Sequence, residues 1–224
     1  MSYFVTGTDT GVGKTLISCA LLHAFAAQGR QVAGFKPVAA GDCDHNGHNE
    51  DARRLRAAGN VQASYGQINP YCFEKAVAPH LAARFVGVKI NLDRIVQSYR
   101  ELAAQADVVI VEGAGGFCVP LNEDQDMADL AIQLDLPVIL VVGMRLGCIN
   151  HARLTVEAIE HRGLPLAGWV ANCLDENMPM LNENIAALQQ RIAAPMLGVV
   201  PRYQTSPDAR DVAQVLDLRL LRQR

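Results

Sequence analysis

Six mostly apolar runs punctuate the chain, at residues 3–5, 31–35, 108–111, 138–142, 166–171 and 196–200. None of them alternates apolar with polar positions. A strand that is apolar at successive positions is covered on both faces, as strands in a parallel sheet are. Between these runs lie stretches with helical spacing, at residues 14–28, 51–56, 79–85, 92–105, 126–134, 149–161, 182–193 and 210–221. Gly29 stands where the first of them should stop. Residues 65–89 resist division because Pro70 and Pro79 interrupt them, and only the 79–85 helix is predicted there. Strand and helix in alternation predict an α/β fold: a mainly parallel central sheet flanked by helices on both faces. No repeat, low-complexity stretch or linker divides the chain, and 224 residues suit a single domain spanning 1–224.

A sheet of this kind gathers functional groups at the C-terminal ends of its strands. The first strand runs into the turn of residues 7–13, rich in Gly, and then into Lys14, Thr15 and an apolar helix. Strand, Gly-rich turn, Lys-Thr and helix make a phosphate-binding loop, so the fold is P-loop NTPase-like. Gly lets backbone N–H groups approach phosphate oxygens, and the helix N-terminus adds partial positive charge. Lys14 supplies a point charge for the β- and γ-phosphates, and the Thr15 hydroxyl suits Mg²⁺. The usual spacing would put the first Gly at position 8, which is Thr8; here it is Gly7, so the loop is one residue longer.

Other strand ends carry polar groups too. Glu112 follows four apolar residues, the position of a Walker-B carboxylate, where Asp is more usual. Lys36 precedes Pro37, which holds it extended, and it is suited to charge developing on a transferring phosphoryl group. Asn172 has the donor and acceptor to read an adenine edge, although Asn at a strand end also suits a turn. Asp51 reads either as a second carboxylate for Mg²⁺ or as an ordinary acid at a helix start.

Composition removes several classes of function. The net charge is −3 and no basic stripe is evident, so nucleic acid is not expected as a partner. The six cysteines are scattered without C-x-x-C, which suits free thiols in a reducing cytoplasm. Met1 and Ser2 lead straight into a strand, so no signal peptide is expected. The apolar run at residues 136–144 is too short to cross a bilayer. In the polar loop 41–50, Cys43, His45 and His48 lie close together, but no fourth ligand is apparent and a solvated loop is the expectation.

Several segments together resemble dethiobiotin synthetases, the ATP-dependent cyclo-ligases of biotin synthesis. They are T-G-T-D-T-G-V-G-K-T (6–15), G-F-K-P-V-A-A-G (34–41), I-N-P-Y (68–71), A-P-H (78–80), V-E-G-A-G-G (111–116), P-V-I-L-V-V-G (137–143), L-G-C-I-N-H (146–151) and G-W-V-A-N (168–172). The longer phosphate loop is also a feature of that family, and the likeness fades beyond Pro201. The resemblance implies that 7,8-diaminononanoate takes up CO₂ as a carbamate, which attacks the γ-phosphate of ATP. The second amine then closes a cyclic urea and releases phosphate.

The same resemblance implies the site. Gly11, Val12, Gly13, Lys14, Thr15 and Leu16 wrap the triphosphate, and Thr15, Asp51 and Glu112 hold Mg²⁺. Lys14 and Lys36 are the catalytic cations. Glu112, Gly113, Ala114, Gly115, Asn172 and Cys173 contact nucleotide, as do Pro201, Arg202 and Tyr203. Thr10, Lys36 and Ala40 face the diamine. A homodimer is implied, with the substrate carboxylate at a helix start formed by Gly147, Cys148 and Asn150 of the partner. Two positions depart from the pattern: Ala40 stands where Ser is expected, and Cys173 where a polar residue is common.

Three other functions share parts of the pattern. Partner-regulated ATPase switches of the partitioning or septum-placement type carry an additional Lys early in the phosphate loop, and residues 7–10 offer none. Amide-forming synthetases of cobalamin synthesis need a glutaminase domain that 224 residues cannot hold. A paralogue with a changed substrate stays open through Ala40.

Overall fold

A computed structural model describes residues 1–44, 46–205 and 207–221; His45 therefore lies outside the described residues. The chain opens with β1 (Ser2–Gly7), α1 (Lys14–Ala26), β2 (Val32–Phe35), β3 (Val38–Ala40), α2 (Glu50–Ala58), α3 (Tyr65–Ile68), β4 (Tyr71–Phe73) and α4 (Pro79–Phe85). It continues through α5 (Leu92–Ala103), β5 (Val108–Glu112), α6 (Met127–Leu134), β6 (Val138–Met144), α7 (Cys148–His161), β7 (Leu166–Cys173), α8 (Leu181–Gln189), β8 (Met196–Val200) and α9 (Ala209–Ala213). A 3₁₀ turn at Leu218–Leu220 follows. Among the described residues no helix is long and apolar enough to cross a membrane.

Six strands form one sheet in the order β2-β5-β1-β6-β7-β8, and every pairing in it is parallel. The unbroken apolar runs become strands buried along nearly their whole length. Successive side chains point to opposite faces. Phe4, Val109, Val111 and Leu140 enter a core with α5, α6, α7 and α8. Tyr3, Val5, Ile110 and Val141 enter a second core with α1, α2 and α9. α1 is apolar almost all round because it lies between the sheet and other helices, so its first residues, Lys14 and Thr15, are themselves buried.

Register decides what meets at the C-terminal edge. Phe35 pairs with Val111 and Val5 with Glu112. The next residue after Phe35 is Lys36, so β2, β5 and β1 deliver Lys36, Glu112 and the phosphate loop side by side. Gly34 completes the arrangement: a Cβ there would lie 2.8 Å from Leu55 Cβ and 3.0 Å from the Leu55 carbonyl oxygen. That close approach lets α2 lie against β2 and brings Asp51 over Lys36.

Three features differ from the sequence expectation. β3 and β4 form a separate two-stranded parallel sheet, with Val38 opposite Tyr71. Each has three residues and follows a proline, too little for a periodic signal. The helix expected at 182–193 ends at Gln189. The helix expected at 210–221 stops at Ala213 because the chain turns back onto the edge strand. Asp217 N–H donates to the Leu197 carbonyl at 2.8 Å, and Gly198 leaves room for the Val215 carbonyl, which would lie 2.4 Å from a Cβ there.

Candidate active site

The phosphate loop turns into α1 through Gly13, whose φ of 92° is open to glycine and strained for other residues. A Cβ there would also lie 2.2 Å from Asn172 Nδ2. Asn172 instead donates to the Val12 carbonyl at 2.8 Å, tying the end of β7 to the loop. Lys14 curls over the loop and donates to the Asp9 carbonyl at 2.9 Å. Asp9 also pairs with Arg145, which follows β6, and half-exposed as it is that pair contributes little stability.

Beneath the loop four side chains converge. Lys36 Nζ lies 2.5 Å from Glu112 Oε1 and 3.0 Å from Asp51 Oδ2. The Thr15 hydroxyl donates to the same Glu112 Oε1 at 2.9 Å. Glu112 is 0% exposed and Lys36 4%, so water scarcely screens their attraction. Burial works against the Lys36 ammonium, but the adjacent Glu112 and Asp51 carboxylates outweigh it and hold its pKa above the ordinary value. Burial likewise opposes the Asp51 charge, and Lys36 together with a Thr15 hydrogen bond holds its pKa below the ordinary carboxylate range. For Lys14 the balance goes the other way: burial, with Lys36 nearby, outweighs the pull of Glu112, Asp51 and Asp9 and brings it down to about 8.

Glu112 Oε2 is buried without a hydrogen-bond partner among the described residues. Together with Asp51 and Thr15 it makes a set of hard oxygen donors at the foot of a phosphate loop. Mg²⁺ uses few protein oxygens and completes its shell with phosphate and water, so these residues fit it. No three His, Cys, Asp or Glu side chains among the described residues cluster to hold a metal unaided. In the 41–50 loop, Cys43 Sγ lies 3.1 Å from Cys72 Sγ and His48 stacks on Tyr65.

The convergence opens into a cavity of about 690 Å³. Thr10, Gly11, Gly13, Lys14, Thr15 and Leu16 form one wall, and Lys36, Asp51, Glu112, Ala114 and Gly115 the floor. Ala39, Ala40, Val77 and Val119 supply an apolar side. Asp42, Asn49 and Arg54 also line it, and none of these was predicted from sequence. Only Asn49 carried a local signal, as a cap residue before a helix.

A family model described as an AAA domain matches residues 1–209. The ATP-dependent dethiobiotin synthetase BioD of Nitrosospira multiformis is 55% identical over 216 residues, 96% of this chain and 94% of that protein. The synthetase of the same name from Xanthomonas axonopodis pv. citri is 50% identical over 220 residues, 97% of each chain. The chain belongs to the dethiobiotin synthetase family.

Solved structures outside the synthetase family share the fold. The MinD cell division protein of Aquifex aeolicus aligns with a TM-score of 0.55 at 16% identity, covering 90% of this chain and 82% of its own. A ParA family ATPase from Chlorobium tepidum gives 0.54 at 15% identity, covering 95% and 87%. At that identity the likeness concerns the P-loop fold alone.

Against the synthetase pattern, the remaining predicted residues lie at the same edge of the sheet but outside the cavity. The Val12 side chain is buried beneath the loop, and Gly113 N–H donates to the Val5 carbonyl at 3.0 Å. Cys173 is buried, and burial raises its thiol pKa. The Asn172–Val200 register sets Pro201, Arg202 and Tyr203 beside it, where half-buried Tyr203 packs on the same core as Leu16 and Leu174. Gly147 (φ 93°) and Cys148 start α7, with the Cys148 side chain buried and Asn150 exposed.

The buried pair makes a stability prediction. Lys36→Met leaves Glu112 as an unpaired buried charge and should cost about 3 kcal/mol in urea unfolding. Lys36→Met with Glu112→Gln should recover most of that loss. An unchanged midpoint in the single variant would contradict the pairing.

Proposed function

We propose that this chain is an ATP-dependent dethiobiotin synthetase that closes the ureido ring on 7,8-diaminononanoate with CO₂, releasing ADP and phosphate. One observation carries this reading above the others. Two lysines, two carboxylates and a threonine hydroxyl line a cavity whose other side is apolar. An aliphatic diamine has that character, with polar reacting ends and a hydrocarbon chain between them.

In this reading the backbone N–H groups of residues 11–16 cradle the triphosphate and Lys14 neutralises the γ-phosphate. Asn172, Cys173 and the Pro201, Arg202 and Tyr203 segment border the base, with Gly113, Ala114 and Gly115 beside the nucleotide. Thr10 and Ala40 face the diamine. Lys36 sits between the carbamate and the γ-phosphorus, where its charge offsets repulsion between two anions as they approach. The carbamate oxygen displaces ADP and forms a carbamic–phosphoric anhydride. The second amine then attacks the carbonyl carbon, phosphate leaves with the bridging oxygen, and the amine loses its proton. Mg²⁺ held by Thr15, Asp51 and Glu112 would supply Lewis-acid neutralisation of the phosphates.

The start of α7, with Gly147, Cys148 and Asn150, lies outside the cavity of its own chain. Free N–H groups at a helix start suit an anion, which supports a homodimer in which each partner binds the other's substrate carboxylate. A reducing cytoplasm is the compartment that six free cysteines suit.

Release of ADP should require both bicarbonate and the diamine. Lys36→Ala should lower kcat by about two orders of magnitude while changing ATP affinity little; release indifferent to the diamine would overturn the reading. Lys14 gives a pH test. Its pKa of about 8 means that the free enzyme holds Lys14 largely neutral above that pH. Phosphate charge raises that pKa, so ATP binding at about pH 8.5 should take up protons, and the uptake should fade towards pH 7. Calorimetry in buffers of different ionisation enthalpy reads it directly. Binding with no uptake at the higher pH would place Lys14 away from the phosphates.

A further inference from the structure

Lys36 and Asp51 lie 3.0 Å apart but stand on different elements, one just past β2 and the other in the first turn of α2. No strand register links them. A chain of hydrogen bonds through Tyr65 does. The Asn49 backbone N–H, at the cap of α2, donates to the Tyr65 hydroxyl at 2.7 Å. That hydroxyl donates to Asn69 Oδ1 at 2.8 Å. Asn69 Nδ2 then donates to the Lys36 carbonyl at 2.7 Å and to the Tyr71 carbonyl at 2.9 Å. Lys36 N–H donates to the Ile68 carbonyl at 2.8 Å, so both backbone groups of Lys36 are held by the end of α3.

The other end is equally tied. Asn49 Nδ2 donates to the Gly41 carbonyl at 2.8 Å, and Asn49 Oδ1 accepts from Ala52 N–H at 3.2 Å. Asn49 is 3% exposed and Asn69 4%, so cutting this link leaves polar groups that water cannot readily satisfy. The His48 ring covers the phenol, with centroids 3.8 Å apart. Burial raises the Tyr65 pKa, so the phenol keeps the proton it donates.

We propose that Tyr65 is a positioning residue whose hydroxyl sets the separation of Lys36 and Asp51, and with it the geometry in which the two reacting anions meet. Tyr65 itself does not line the cavity. The proposal rests on the roles given above to Lys36 and Asp51. It predicts that a hydroxyl remote from the substrates controls turnover rather than binding.

The test is Tyr65→Phe, made both in the native chain and in an Asp51→Asn background, with kcat, nucleotide affinity and Tm measured for each. In the native chain kcat should fall about tenfold, the scale of one buried hydrogen bond, with ADP affinity within about twofold. In the Asp51→Asn background the same change should cost less than about twofold, because the link then ends on a residue that no longer acts. Asn69→Ala cuts the link on its other side and should reproduce the loss of kcat. A lowered Tm with kcat unchanged, or an equal loss of kcat in both backgrounds, would overturn the proposal. Failure of the site reading would look different: Asp51→Asn alone would then keep full turnover, and the positioning role would fall with it.

Discussion

Everything at this site depends on pairing the Lys36 ammonium with the Glu112 carboxylate where water scarcely reaches. Glu112 is fully buried, and its Oε1 is met by the Lys36 ammonium and the Thr15 hydroxyl. Glu112 and Asp51 together outweigh the desolvation of Lys36. The register between β2 and β5 and the close approach at Gly34 meet that need. The cluster is formally neutral: Lys14 and Lys36 balance Glu112 and Asp51. A triphosphate adds several negative charges to a neutral site. Loop N–H groups and the α1 dipole are the compensation the fold supplies, and Glu112 Oε2, without a hydrogen-bond partner among the described residues, is an oxygen that a divalent cation would suit.

Much of this was legible in the sequence because it rests on local pattern. Unbroken apolar runs gave six parallel strands, and the Gly-rich turn before Lys14 and Thr15 gave the phosphate loop. Glu112 and Lys36 were visible because a polar residue at the end of an apolar run is conspicuous. Asp51 was ambiguous because a helix-start acid looks the same whether or not it faces a site; only the packing of α2 on β2 puts it beside Lys36. Asp42 and Arg54 were invisible, since a polar residue in a loop or on a helix gives no sign of which way it faces. The Tyr65 link could not be read at all. It joins residues 36, 49, 65 and 69 through side chains whose meeting depends on two three-residue strands too short to carry a signal.

Fold and family answer different questions here. MinD and ParA proteins share the sheet and the phosphate loop, at identities that carry no functional inference. What distinguishes this chain is what surrounds the loop. Lys36 faces the carboxylates from the second strand, and Ala39, Ala40, Val77 and Val119 make an apolar side on which a hydrocarbon chain can lie. Half the sequence is shared with dethiobiotin synthetases over nearly the full length, and the motifs at residues 6–15, 34–41, 78–80 and 111–116 line this cavity.

The central claim is that a carbamate, rather than water, attacks the γ-phosphate beside Lys36. Turnover with ¹⁸O-labelled bicarbonate tests it most directly. If the carbamate attacks, one labelled oxygen passes into the released phosphate and another stays on the ureido carbonyl, both read by mass spectrometry. Labelled urea with unlabelled phosphate would contradict the account, because the phosphoryl group would then have gone to water.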